Sequence, residues 1–173
     1  MKKLFYLLAI AVSVTACTNQ TKTAEVKADS VVMPYTATYS SNFVVSDNPK
    51  NAQSVLQSYK DWEDNKLSNA PAYFADTVAM TYSDGTQFRL GRDSMVRHFQ
   101  KDRDSLTSSK IEVLAVTNLH SVDKNADWVN VWYKQTDTYK TGKVDSAFYQ
   151  DDNNLVNGKI VWINSKKQIL KKK

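Results

Sequence analysis

The stretch NPKNAQSVLQSYKDWEDNKLSNAPAYFADTVAMTY, from Asn48 to Tyr82, holds a helix, a break and a strand in that order. Asn48 suits an N-cap, and Pro49 suits the first helical position, where no amide donor is required. Val55, Leu56, Tyr59 and Trp62 recur at helical spacing and form one apolar face. Asp61, Glu63 and Asp64 gather at the helix end. Paired carboxylates suggest acid–base work, but close neighbours on a helix point in different directions, so a solvated face is expected. Pro71 opens a short second helix through Ala72, Tyr73 and Phe74. Asp76 to Tyr82 alternates like a half-buried strand and ends at the turn Ser83-Asp84-Gly85.

Downstream, Thr86 to Leu90 reads as a second hairpin piece, and a helix runs from about Asp93 to Ser105 with Met95, Val96, Phe99 and Leu106 toward the core. Strands then follow at Ile111–Leu119, Trp128–Thr138, Lys143–Asp151 and Lys159–Asn164. Turns are expected at Gly142, at Asp151-Asp152-Asn153-Asn154 and at Asn157-Gly158. Helices first and a long sheet afterwards predict an α+β fold, a curved, cone-shaped antiparallel sheet packed against about three N-terminal helices. Alternation places Val129, Val131 and Tyr133 on one face and Trp128, Asn130 and Trp132 on the other. In the last strand Ile160 and Trp162 share one face, Val161 and Ile163 the other. Both sheet faces are therefore partly apolar, and the second is expected to be covered by a homodimer partner or by the segment Tyr35–Val45.

The amino terminus has a different character. Met1-Lys2-Lys3 is basic, Leu4 to Val14 is an apolar run too short to span a bilayer, and small residues lead into Cys17, the only cysteine among 173 residues. This arrangement resembles a bacterial lipoprotein signal, in which the cysteine is acylated and the peptide cut before it. The resemblance implies a membrane partner through lipidated Cys17. Thr18 in place of aspartate implies a cell-envelope protein facing the periplasm from the outer membrane. More than one acyl chain suits stable anchoring, since each buried methylene contributes only about 0.8 kcal/mol. Loss of Lys2 and Lys3 with the signal would lower the formal net charge from +5 to +3. No aromatic-interleaved basic stripe points to nucleic acid. The expected organisation is a signal peptide over 1–16, the lipidated cysteine and a flexible tether over 17–33, an arm or edge strand over 34–47, one domain over 48–165 and a basic tail over 166–173.

Order and residues of the domain resemble the nuclear-transport-factor-2-like superfamily, which includes ketosteroid isomerase and polyketide cyclases. The resemblance rests on Ala72-Tyr73-Phe74-Ala75-Asp76-Thr77-Val78 entering a strand, on Gly91-Arg92-Asp93-Ser94-Met95 entering a helix, and on Asn157-Gly158-Lys159-Ile160 turning into the last strand. It implies a pocket between curved sheet and helices, and no particular activity. It also places Tyr82 where the isomerase carries its general-base aspartate, and Ser58 at the oxyanion-hole tyrosine. Tyr59 stands one residue off, about 100° around the helix. A tyrosine titrating near pH 10 is a poor base at neutral pH, so that mechanism is not expected.

Of the two histidines, His98 flanks the helix face at the pocket wall, and His120 is expected in a turn. No metal-ligand spacing, phosphate loop or nucleophile elbow appears, and no cofactor is expected. Trp62, Tyr82, His98, Tyr133 and Phe148 are the candidate pocket residues; Trp128, Trp132 and Trp162 join them as aromatics around the cone, with Asn130 and Ser146 as polar groups. Tyr82 and His98 are the weak catalytic candidates. The leading functional expectation is a lipid-anchored binding or accessory module for a small apolar ligand. An assembly protein using the outer sheet face, and a cyclase, isomerase or dehydratase using Tyr82 and His98, are the alternatives.

Overall fold

The structure is a computed structural model that describes residues 33–170. The signal sequence, Cys17, most of the tether and Lys171–Lys173 lie outside the described residues.

Strand β1 (Phe43–Val45) is followed by helix α1 (Pro49–Glu63), a 3-10 helix (Leu67–Ala72), β2 (Phe74–Thr81), β3 (Gln87–Gly91), helix α2 (Arg92–Asp104), β4 (Leu106–Ser121), β5 (Ala126–Tyr139), β6 (Val144–Val156) and β7 (Lys159–Ile169). Asn48 caps α1 as expected, its side-chain Oδ1 accepting from the Lys50 amide at 3.2 Å. The opposite end is held by Arg103 of α2, a buried guanidinium whose Nε and Nη2 donate to the carbonyls of Trp62 and Glu63 at 2.8 and 2.9 Å. Arg103 thereby gives the Glu63 carbonyl a donor that the helix C-terminus lacks and adds a second to the Trp62 carbonyl, which the Asn65 amide also reaches at 3.2 Å.

One seven-stranded sheet, curled but not closed, runs in the order β1-β4-β5-β6-β7-β2-β3. Its pairs are antiparallel except β2 with β7, which is parallel, so the sheet is mixed rather than purely antiparallel. Parallel pairing is open to these two strands because most of the domain forms the connection between them. Leu114 is an unpaired bulge residue in β4 and Val161 another in β7. Such bulges bend and twist a strand, which curls this sheet around the helices. The Val161 bulge also breaks simple alternation: Ile160 and Ile163 are both buried, while Trp162 packs outside against Trp128. Val55, Tyr73, Val78, Met95, Val129, Val131, Leu155 and Ile160 form the centre of the core.

Several local expectations change. Asp151 to Asn154 is strand, not turn: β6 continues to Val156, and the turn is Asn157-Gly158 alone, both with positive φ as a tight hairpin connection requires. The polar run is tolerated because Asp151 and Asn153 point inward onto hydrogen-bond partners. β7 runs to Ile169, so Lys166 and Lys167 belong to a strand rather than to a tail, paired with Asp152 and Asp145. Asp61 is buried, although its neighbour Asp64 is exposed and bridges Lys60 and Lys66. The deepest face of α1 is Asn51, Val55, Ser58 and Asp61, rotated from the apolar stripe read in the sequence.

The segment before α1 is both strand and arm. Phe43–Val45 pairs antiparallel with Ser121–Leu119 at the edge of the sheet, and Tyr39 packs edge-on against Trp128, with centroids 5.6 Å apart. Ser40 and Ser121 both hydrogen-bond the Asp123 carboxylate and thereby clasp the arm to the β4–β5 hairpin. His120 lies within β4 rather than in a turn, its Nδ1 2.8 Å from Asp127 Oδ1.

Candidate functional site

The concave face of the sheet and the three helices enclose a cavity of about 500 Å³, within the range of small-molecule sites. Pairing across the sheet builds its floor in rows. Tyr133, Tyr149 and Lys167 are aligned across β5, β6 and β7, and Val131, Asp151 and Ser165 form the next row. Helix α1 contributes Ser58, Tyr59 and Trp62, the 3-10 segment and β2 add Tyr73, Phe74 and Met80, and α2 adds Phe99 and Asp102.

Asp151 is the most buried of the charged residues that line the cavity, with 5% of its surface exposed. Its Oδ2 accepts from the hydroxyls of Tyr59 at 2.8 Å and Tyr133 at 3.0 Å. Its Oδ1 is buried and has no hydrogen-bond partner in the protein, although Ser165 stands beside it on β7. Burial pushes the Asp151 carboxyl above the usual carboxylate range, while the surrounding hydroxyls pull the other way. Burial and the adjacent Asp151 charge push both Tyr59 and Tyr133 well above an ordinary phenol, so both remain donors at neutral pH. Asn153 supports the centre from one side, its Nδ2 donating to the Val129 carbonyl at 3.0 Å.

A second polar chain lies between α1 and the start of the long hairpin. Trp62 Nε1 donates to Ser109 Oγ at 2.9 Å, Ser109 donates to Asp137 Oδ1 at 2.6 Å, and Gln135 Nε2 donates to the same carboxylate. Tyr133 and Tyr149 stack with centroids 5.2 Å apart and planes 10° from parallel. Lys167 Nζ sits 5.5 Å from the centre of the Tyr149 ring and 3.8 Å from Asp145. Tyr73, also in the cavity wall, is raised by burial and by the neighbouring Asp61. Neither the Tyr73 hydroxyl nor Asp61 Oδ2 reaches a partner in hydrogen-bonding geometry.

Trp62, Tyr82 and Tyr133 line the cavity; His98 and Phe148 do not. Phe148 is paired with Lys134 and Gln168, and its strand neighbours Ala147 and Tyr149 face inward, so its ring lies on the outer face. Trp128, Asn130, Trp132, Ser146 and Trp162 share that outer face. His98 is half exposed on α2, between Phe88 and Phe99, with Asp102 at 3.9 Å. Tyr82 is pushed up to about 12 by burial, Asp102 and Asp84, so it holds its proton through the neutral range. No acid–base pair of Tyr82 with His98 is formed.

Tyr59 differs from its reading in the sequence. Helix α1 lies so that both Ser58 and Tyr59 border the cavity, and the Tyr59 hydroxyl reaches Asp151. Asp151 was hidden inside an apparent turn. The available signal was strand length: β5 spans 14 residues, and a partner ending at residue 151 leaves Trp128, Val129 and Asn130 unpaired. Among the described residues no group of three His, Cys, Asp or Glu side chains is placed to hold a metal ion.

The chain matches no family model, and no curated protein matches it in sequence. Its architecture does match solved structures. An LEH-like epoxide hydrolase of M. tuberculosis superposes with a TM-score of 0.60 at 6% identity, over 71% of this chain and 86% of that one. An NTF2-like protein of unknown function from Burkholderia pseudomallei gives 0.56 at 17% identity, over 69% and 91%. A provisionally assigned polyketide cyclase of Xanthomonas campestris gives 0.56 at 16% identity, over 71% and 93%. At such identities the likeness establishes the nuclear-transport-factor-2-like fold.

Proposed function

We propose that this nuclear-transport-factor-2-like domain is a small-ligand-binding module, carried on an envelope lipoprotein and filled by a mainly apolar molecule with one polar group set against Asp151. The observation that carries this reading is the cavity of about 500 Å³ with a carboxylate at its base that keeps one oxygen unpartnered. Aromatic walls supply contact area, and a single deep polar centre supplies orientation, which is the usual division of labour in such sites. The basic start, short apolar run and lone Cys17 support the membrane anchor and the periplasm-facing outer-membrane location. Trp128, Trp132 and Phe148 on the outer face support a homodimer formed through the sheet.

Native mass spectrometry of the gently purified mature chain, with Cys17→Ser in place of the acylated residue, tests the pocket. A retained small molecule, or saturable one-to-one uptake of Nile red, is the expected result. An apo protein that takes up no apolar probe overturns the pocket and leaves the sheet face as the working surface.

One observation favours an enzyme as the second reading: a buried carboxyl held above its ordinary pKa beside two protonated phenols is equipped for general acid–base work. On that reading Asp151 replaces Tyr82 and His98 as the group to mutate, and turnover lost in Asp151→Asn with binding retained is the sign to look for.

A further inference from the structure

We infer that the ligand is a cation, a primary or secondary ammonium on an apolar body, with its N–H directed to Asp151. The inference rests on the pocket reading above and names the chemistry that the pocket selects. Among the described residues that line the cavity, three are carboxylates (Asp102, Asp137 and Asp151) and Lys167 is the one cation. That cation is already engaged, 3.8 Å from Asp145 and over the Tyr149 ring. A carboxylate or phosphate ligand therefore meets like charge at both the base and the rim, with no free ammonium or guanidinium among the lining residues to receive it.

Nine of the lining residues are aromatic, among them Trp62, Phe74, Tyr82, Phe99 and Tyr133. Aromatic rings present negative potential at their faces and attract a desolvated ammonium. Lys167 on Tyr149 shows the same chemistry at work in the protein itself. Asp151 adds the directional element. Tyr59 and Tyr133 occupy Oδ2, and both can only donate to it while protonated. Oδ1 is left as an acceptor in a nearly water-free setting, and an N–H of an ammonium satisfies both its hydrogen bond and its charge. The groups facing this centre from α1, β5, β6 and β7 are Tyr59, Tyr133, Tyr149, Ser165 and Lys167, and of these only Lys167 is cationic.

The test uses three matched probes on the mature chain carrying Cys17→Ser: 4-phenylbutylamine, 4-phenylbutanol and 4-phenylbutyrate. Calorimetric titration near neutral pH is expected to show the amine binding about tenfold or more tighter than the alcohol, and the acid weakest. Asp151→Asn keeps the shape and a hydrogen-bonding group, and is expected to erase the preference of amine over alcohol while the alcohol still binds. Lys167→Met removes the competing cation and is expected to tighten the amine selectively. Alcohol or acid binding as tightly as the amine overturns the inference while leaving the pocket intact. Failure of all three to bind overturns the pocket reading and the inference with it. The wild-type comparison decides between these outcomes even if a variant does not fold.

Discussion

The hydroxyl of Tyr59 on helix α1 donates to the Asp151 carboxylate on strand β6 across 2.8 Å, joining residues 92 positions apart in the chain. This bond ties the helix layer to the sheet at the base of the cavity, and the stacked pair Tyr133 and Tyr149 backs it. Tyr59→Phe keeps the ring and removes the bond. It should cost about 1–3 kcal/mol in urea unfolding, since the acceptor is charged and buried.

Asp151 gives stability a pH dependence of definite sign. Its pKa is higher in the folded protein than its ordinary value of 3.8. Below that value both states hold the proton and Asp151 contributes no penalty. As pH rises through the window up to the raised folded value, the unfolded chain ionises first and stability falls; above the window the loss is complete and constant. Asp151→Asn lacks this term. Urea melts across an acid-to-neutral series should therefore show the variant gaining on the wild type through that window, with the gap flat thereafter. A gap that does not change with pH contradicts the assignment.

Arg103 is expected to be the most sensitive residue of α2. Its guanidinium is buried and serves two carbonyls at the end of α1. Arg103→Met leaves the Glu63 carbonyl without this donor and the Trp62 carbonyl with only the Asn65 amide, and should destabilise the domain by about 1–3 kcal/mol. Arg103→Lys should recover only part of this, because an ammonium cannot reproduce the planar fork. Chemical denaturation of both variants measures the difference.

Tyr82 and His98 should be nearly silent in binding. Tyr82 stays protonated until about pH 12, and His98 stands half exposed outside the cavity wall. Tyr82→Phe and His98→Gln are each expected to hold probe affinity within about twofold, against a loss of tenfold or more in Asp151 variants. Calorimetric titration of 4-phenylbutylamine, the ammonium probe, separates the two results.

Tyr39 and Trp128 form an optical reporter for the arm. Tyr39→Ala removes the edge contact and should cost about 1 kcal/mol. Tryptophan emission should shift to the red as Trp128 meets water, and an unchanged spectrum would show that the arm is not held on the sheet.

Trp132 reports on assembly. It lies on the outer face in the row of Gln150 and Lys166. If two copies meet through this face, Trp132→Glu should convert a dimer to a monomer in analytical ultracentrifugation with the fold retained. A wild-type monomer at high protein concentration removes the sheet-face dimer.

The amino-acid pattern alone determined the order of elements and the class of fold. Those features depend on local rules: the Asn48-Pro49 cap, the 3.6-residue spacing of Val55, Leu56, Tyr59 and Trp62, and alternation through Val129, Val131 and Tyr133. Trp62, Tyr82 and Tyr133 line the cavity on faces that alternation or helical spacing identifies. Phe148 lies on the outer face because it pairs with Lys134 and alternates with the inward Ala147 and Tyr149, while Asp151 stayed hidden because a run of Asp and Asn has a turn's composition in any sequence. Only the tertiary structure decided that Asp151 and Asn153 point inward, since their inward partners are Tyr59, Tyr133 and the Val129 carbonyl, all distant in the chain. It likewise decided that Asp61 is buried while Asp64 is not, and that β2 lies parallel to β7. Local propensity acts over a few residues, whereas a buried polar group is stable only where distant segments bring the hydrogen bonds that replace water.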